Sequence, residues 1–232
     1  MLFRQLFDPA TSTYTYLLAD PIARAAVLID PVLEQVSRDL RLLTELDLTL
    51  QYCLETHIHA DHVTGTAKLR SVTKCQSIVP DNAQAACADR FIQSGEILQL
   101  GIVTITAIAT PGHTDSHMAY LADRTHLFTG DALLIRGCGR TDFQGGDPGR
   151  LYDAVTGELF NLPGETLVYP AHDYHGMTVS TIAEEKRFNP RFVGRERGQF
   201  IELMNDLNLP NPQRMMEAIP ANEHCGNVAA VS

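Results

Sequence analysis

Four apolar runs in this 232-residue chain each stop at a residue able to bind a metal. Leu48, Leu50, Tyr52 and Leu54 alternate with polar or small partners, which predicts a strand, and that run ends in Thr56-His57-Ile58-His59-Ala60-Asp61-His62. Residues 102–110 read as a strand ending in Pro111-Gly112-His113. Residues 126–129 end in Gly130-Asp131, and residues 166–169 end in Pro170-Ala171-His172. Ligands just past the ends of buried strands are rigidly held, and several strands of one layer can aim them at one point. No other feature of the chain constrains its fold as much.

The remaining patterns agree with a layered α/β domain. Strand-like segments precede the first ligand run at 13–18 and 25–29, and Leu33, Val36, Leu40, Leu43 and Leu46 place an amphipathic helix over 33–47. Helical composition marks 149–160 and 178–188. Phe200, Leu203, Met204 and Leu207 form one face of a helix over 195–207, Pro210 and Pro212 break it, and a short helix is expected at 213–218. Strands alternating with helices, and helices at the end, predict one domain over 1–232 with a helical C-terminal segment.

Composition narrows the setting. Hydrophobic residues make up 44% and charged residues 20%, which is enough core to exclude disorder, collagen and coiled coil. A net charge of −10 disfavours nucleic acid and anionic lipid as partners. No run of about 18 apolar residues exists to span a membrane, and the first eight residues lack both a signal core and an Arg/Ser-rich transit pattern. Five scattered cysteines without a C-x-x-C pair predict neither a disulfide framework nor a thiolate zinc site. A reducing bacterial cytoplasm is the expected location, and a processed mitochondrial form is compatible with it.

Three imidazoles and a carboxylate within six residues are an unusual density of borderline-metal ligands. On a loop leaving a strand, His57 and His59 can face one point while Asp61 and His62 face a neighbouring one, so one ion or two can be served. His113, Asp131 and His172 complete the set. His117, His126 and His224 stand outside such contexts and read as ordinary core or surface side chains.

His-x-His-x-Asp-His, followed by Pro-Gly-His113-Thr, Thr-Gly-Asp131 and Pro-Ala-His172, resembles the metallo-β-lactamase superfamily over about residues 10–175. That resemblance implies a metallo-β-lactamase-like αββα sandwich with the site at the edge of its two sheets. Two branches are close. Gly137-Cys138-Gly139-Arg140 is shared with glyoxalase II, a dinuclear-metal glutathione-thioester hydrolase. The continuation Thr141-Asp142-Phe143-Gln144 departs from that branch, as does the lack of a basic cluster in the C-terminal segment. The stretch 130–144, Tyr169-Pro170-Ala171-His172-Asp173-Tyr174-His175-Gly176 and Pro220-Ala221-Asn222…Cys225-Gly226 instead resemble the persulfide dioxygenases almost end to end.

The second resemblance implies oxidation of glutathione persulfide by O2 to sulfite and glutathione at one non-haem Fe(II) per chain. It carries the iron ligands onto His57, His113 and Asp131. His59, Asp61, His62 and His172 then form a vacant second-metal shell, in which Asp61, His62 and His172, with Tyr174, assist catalysis. An iron reading is chemically coherent, because zinc has no redox step and three protein ligands leave about three octahedral positions open. Arg140, Tyr174 and Cys225 are the candidates for holding the substrate. A homodimer is compatible with the sequence, and the persulfide must be made by a separate enzyme.

Overall fold

A computed structural model describes residues 1–227, which group into two compact units. The first contains residues 1–92, 98–104 and those from 211 onward; the second contains 93–97 and 105–210.

The first unit begins with β1 (Leu2–Asp8), β2 (Thr13–Asp20) and β3 (Ala25–Ile29), followed by α1 (Val36–Glu45), β4 (Thr49–Leu54), α2 (Thr66–Thr73), β5 (Gln76–Pro80) and β6 (Arg90–Ile92). Its sheet has the order β1-β2-β3-β4-β5-β6. β1 to β3 are antiparallel, and β3 to β6 are mutually parallel. Parallel neighbours need crossovers, and α1 and α2 supply the first two. Every residue of β2 and β3 is buried. The two periodicities meet in one core: Leu17, Ala19, Ala26, Leu28 and Leu50, alternating along strands, pack with Val36 and Leu43 of α1 and Leu69 of α2. The expected helix over 33–47 is present, opening as a 3-10 turn at Leu33–Gln35.

β7 (Ile97–Leu100) and the start of β8 (Val103–Ala109) straddle the division. The second unit continues with β9 (Met118–Ala122), β10 (His126–Gly130), α3 (Pro148–Gly157), β11 (Leu167–Pro170), β12 (Ser180–Thr181), α4 (Ile182–Phe188) and α5 (Arg197–Asn205). The second sheet has the order β12-β11-β10-β9-β8-β7. β8/β9 and β9/β10 are antiparallel and β10/β11 parallel, so β8, β10 and β11 run the same way. Their carboxyl ends therefore share one edge, which is where His113, Asp131 and His172 follow. Leu127, Val168, Leu151, Val155, Ile182, Phe192 and Phe200 belong to the core of this unit.

Two segments differ from expectation. Residues 180–181 form β12 rather than the start of a helix, because they pair with β11 and Thr181 then caps α4 by accepting the Glu184 N–H. The short helix expected at 213–218 is α6 (Met215–Glu223), which continues through Pro220 and belongs to the first unit. Ala218 and Ala221 of α6 pack on Val63 and Leu33, so tertiary contact outweighs the hydrogen bond that the proline cannot donate.

A buried carboxylate fixes the loop entering Gly137-Cys138-Gly139-Arg140. Glu185 of α4 accepts the Arg136 N–H (2.9 Å), the Ser180 hydroxyl (2.6 Å) and the Asn189 amide (2.9 Å), and it pairs with the Arg136 guanidinium. Asn189 also donates to the carbonyl of Gly137 (3.0 Å). Removing one member of such a network strands the others without water. Glu185→Ala is expected to lower unfolding free energy by about 3–5 kcal/mol, measured by urea denaturation.

Candidate metal centre

In the first unit the ligand loop leaves β4 beside the end of β3, because these strands are parallel neighbours. Asp30, just past β3, receives the Thr56 N–H (2.7 Å) on Oδ1 and the Thr56 hydroxyl (2.8 Å) on Oδ2. Having spent its proton on Asp30, that hydroxyl accepts from His57 Nδ1 (2.9 Å), which leaves the imidazole lone pair at Nε2. His59 is set the opposite way. Its Nε2 faces Asp30 Oδ1 at 3.1 Å and Glu55 Oε2 at 3.5 Å, so Nδ1 is the nitrogen turned away from these carboxylates. Burial pushes the His59 imidazole downward, but Asp30 and Glu55 outweigh it and hold the group well above its usual range. The hydroxyls of Thr64 (2.5 Å) and Thr66 (2.6 Å) secure Glu55 from the other side.

His62 Nδ1 donates to Asp61 Oδ2 (2.9 Å). Both ring nitrogens of His59 and Nε2 of His62 are buried with no hydrogen-bond partner among the described residues, the approach of His59 Nε2 to Asp30 being an ion-pair contact. With Asp61 they form a trio whose ligand atoms all lie within 4.8 Å of one another. Unpartnered buried nitrogens on adjacent imidazoles beside a carboxylate are what a cation would satisfy, taking the place of a proton on His59.

In the second unit His113 and Asp131 meet in a way that also asks for a cation. His113 Nδ1 donates to the Arg140 carbonyl (2.7 Å), so Nε2 presents a lone pair toward Asp131 Oδ2 at 3.4 Å. Two acceptors face each other there, and Asp131 Oδ1 is buried without a hydrogen-bond partner among the described residues. His172 Nε2 lies 3.7 Å from that same oxygen. The side chains present fit a divalent metal. An imidazole fixed at one nitrogen by a protein acceptor and offering the other is the usual arrangement around such ions.

His117, read from sequence as an ordinary core residue, has a specific task. Its Nε2 accepts the backbone N–H of Asp131 (3.0 Å) while Nδ1 pairs with the Thr110 hydroxyl (2.8 Å). Asn222 is the equivalent in the first unit. Its amide donates to the carbonyls of His59 (2.9 Å) and His62 (2.8 Å), and its oxygen accepts from Thr64 N–H (2.9 Å). The only sequence signal for Asn222 was its place in Pro220-Ala221-Asn222. Asp30 and Glu55 had none.

The substrate candidates fare unequally. Tyr174 is 68% exposed, its ring parallel to His172. The Arg140 guanidinium is held by both carboxylate oxygens of Asp142 (2.6 Å each) and by the Pro210 carbonyl (2.6 Å); its own carbonyl is what reaches His113. Cys225 is disulfide-bonded to Cys87, 138 residues away in sequence. This corrects the expectation of no disulfide. Spacing could not reveal the pair, because it forms only when α6 returns to the first unit. Cys138 is a half-buried free thiol, pushed up to about 12 by desolvation.

Gly139 explains why glycine frames that cysteine. Its N–H donates to the Asp131 carbonyl (2.7 Å), and a Cβ there would lie 2.7 Å from both that carbonyl oxygen and His113 Nδ1. Gly139→Ala is expected to cost about 1–3 kcal/mol through overpacking and to weaken metal retention about tenfold or more by turning His113. Thermal unfolding and metal analysis after dialysis check the two effects separately.

A family model described as the metallo-β-lactamase superfamily matches residues 8–172. The chain is 51% identical over 228 residues to the Mus musculus protein named persulfide dioxygenase ETHE1, mitochondrial, covering 97% of this chain and 89% of that one. The crystal structure of ETHE1 from Myxococcus xanthus matches with a TM-score of 0.96 and 53% identity, covering 98% of this chain and all of the other. A hydroxyacylglutathione hydrolase of Pseudomonas putida is 34% identical over 187 residues, 79% of this chain and 70% of that protein.

Proposed function

This chain belongs to the persulfide dioxygenase family of the metallo-β-lactamase superfamily, whose mixed α/β fold with two sheets it shares, and we propose that it oxidises glutathione persulfide to sulfite and glutathione. In this reading one Fe(II) per chain is held by His57, His113 and Asp131. The near full-length identity with persulfide dioxygenases carries the choice of reaction. The ligand set is supported by the hydrogen bonds that leave the lone pairs of His57 and His113 at Nε2 and by the unsatisfied Asp131 oxygen.

Iron, when bound, supplies the redox step that ground-state O2 requires. Both atoms of O2 and one oxygen from water end on the terminal sulfur, and the bond between that sulfur and glutathione breaks. One proton goes to the glutathione thiol and two are released as sulfite ionises. His172 and the Asp61–His62 pair are assigned to carrying these protons. Thr56, through Nδ1 of His57, and the Arg140 carbonyl, through Nδ1 of His113, keep the ligand rings from turning. Tyr174 borders the entry of the persulfide. A glutathione carboxylate reaches the Arg140 guanidinium only by displacing Asp142, and Cys225, bonded to Cys87, offers no thiol. A separate enzyme supplies the persulfide, in a bacterial cytoplasm. No helix among the described residues is long and apolar enough to cross a membrane.

A dinuclear hydrolase of glutathione thioesters is the second reading, favoured by the His59–Asp61–His62 trio and the likeness to hydroxyacylglutathione hydrolase. Oxygen uptake by the iron-loaded protein separates the two. Uptake with sulfite formation on adding glutathione persulfide is expected; thioester cleavage without O2, with two metals per chain, would replace the first reading by the second.

Metal content of two variants tests the ligand set. Asp131→Ala is expected to retain less than about a tenth of the iron. His59→Gln, which keeps a donor for Asp30, is expected to keep nearly all of it. Loss of iron from the second and not the first would overturn the assignment.

A further inference from the structure

The disulfide between Cys87 and Cys225 lies in the wall of an open cleft of about 620 Å³ in the first unit, which Arg70, Lys74, Cys75 and His224 also line. Asp89, the acid of this cleft, is occupied: its carboxylate takes Arg70 (2.6 Å) and the Ser77 N–H (2.9 Å). Arg70 spends its other arm on the Cys87 carbonyl (2.8 Å). Lys74 is exposed, and its ammonium donates to the Ser71 carbonyl (3.0 Å), leaving further donors for an anion. The two bridged cysteines differ in access, since Cys225 is 4% exposed while Cys87 is partly open. A sulfur nucleophile entering the cleft therefore reaches Cys87.

The far side of the bridge faces the ligand loop. Cys225 also lines a small internal void with His57, His59, Glu55 and Asn222. Its carbonyl accepts the Ala67 N–H (2.9 Å), and Asn222, three residues earlier, holds the carbonyls of His59 and His62. The next residue, Gly226, packs so closely on Thr64 that a Cβ would lie 2.0 Å from the Thr64 carbonyl oxygen. The turn after α6 is thus fastened to residues 57–67 by hydrogen bonds and packing, and to the loop preceding β6 by one covalent bond.

We propose that this cleft is a thiol–disulfide exchange site, in which a carboxylate-bearing low-molecular-weight thiol docks at Lys74 and opens the Cys87–Cys225 bridge. The thiolate attacks Cys87 Sγ; a bond forms between the two sulfurs, the Cys87–Cys225 bond breaks, and Cys225 leaves as thiolate and takes up the proton that the incoming thiol gave up. A second thiol attacking the mixed disulfide releases the oxidised thiol and leaves both cysteines reduced. The reaction proposed above releases glutathione, a thiol of this class, so on that reading a co-reactant is at hand. Opening the bridge releases the turn that follows α6, and with it the helix end that bears Asn222, from its covalent anchor. The site requires neither the metal nor the ligand assignment above. Cys75 lines the same cleft with its thiol pushed down to about 7, chiefly by the hydrogen bond from Cys53, and is the competing target.

Intact-mass and peptide analysis of the full chain, purified without reductant, tests this with no metal or O2 in the readout. Alkylation of the denatured, unreduced protein is expected to label Cys53, Cys75 and Cys138 and to leave the peptides of Cys87 and Cys225 linked. Native protein exposed to reduced glutathione is expected to gain one glutathione at Cys87, with Cys225 becoming alkylatable. Lys74→Glu is expected to slow that step about fivefold while slowing 2-mercaptoethanol, whose thiolate carries no carboxylate, by less than about twofold. Labelling of all five cysteines at the outset, an adduct on Cys75 or Cys138, or equal effects of Lys74→Glu on both thiols would each overturn the proposal. The surface substitution keeps the test clear of folding defects.

Discussion

The carboxylate of Asp30 is the contact on which the metal-bearing loop of the first unit rests. One oxygen takes the Thr56 N–H and faces His59 Nε2; the other takes the Thr56 hydroxyl and, through it, sets the proton on His57. A single buried acid thus decides which nitrogen each of two imidazoles turns outward. A charge so buried is costly unless several donors surround it, and the loop provides them. The position of Asp30 follows in turn from strand direction. Only parallel pairing of β3 with β4 puts the end of one beside the start of the loop leaving the other.

The second unit reaches a comparable result with neutral groups. A histidine nitrogen holds the backbone of Asp131, a peptide carbonyl holds the ring of His113, and a glycine allows that carbonyl's loop to lie across both. Gly137-Cys138-Gly139-Arg140 is therefore a spacer made of backbone, anchored by Glu185 on one side and by the Arg140–Asp142 pair on the other. Its conspicuous side chains, a cysteine and an arginine, serve packing and pairing. The functional atoms are an N–H and a C=O.

This explains what could be read from residues alone. Ligands were legible because each follows an apolar strand, and strand ends are marked by pattern: Leu48 to Leu54 before His57, and 126–129 before Asp131. The helices over 33–47 and 195–207 were legible for the same reason. What supports the ligands was not. Asp30 looks like any acid before a proline, His117 like any histidine in a strand-flanking turn, and Asn222 lies 160 residues from the carbonyl of His62 that it holds. Cys225 was misread because a disulfide that closes over 138 residues leaves no local spacing. The helix expected at 213–218 runs on through Pro220, because the packing of Ala218 and Ala221 carries α6 past it.

The first unit is discontinuous: its sheet comes from the first 92 residues, but α6 and Asn222 are made more than a hundred residues later. During synthesis, which proceeds from the N-terminus, the strands of that sheet can pair and bury α1 and α2 long before the chain supplies the clamp for His59 and His62. The ligand loop is therefore finished last, after every other element of the unit exists. What Asn222 adds is a hold on the backbone at His59 and His62, since Asp30 and Thr56, made early, already orient the rings of His57 and His59. The order of synthesis thus separates the making of the sheet and its acids from the arrival of the residue that clamps the loop they carry.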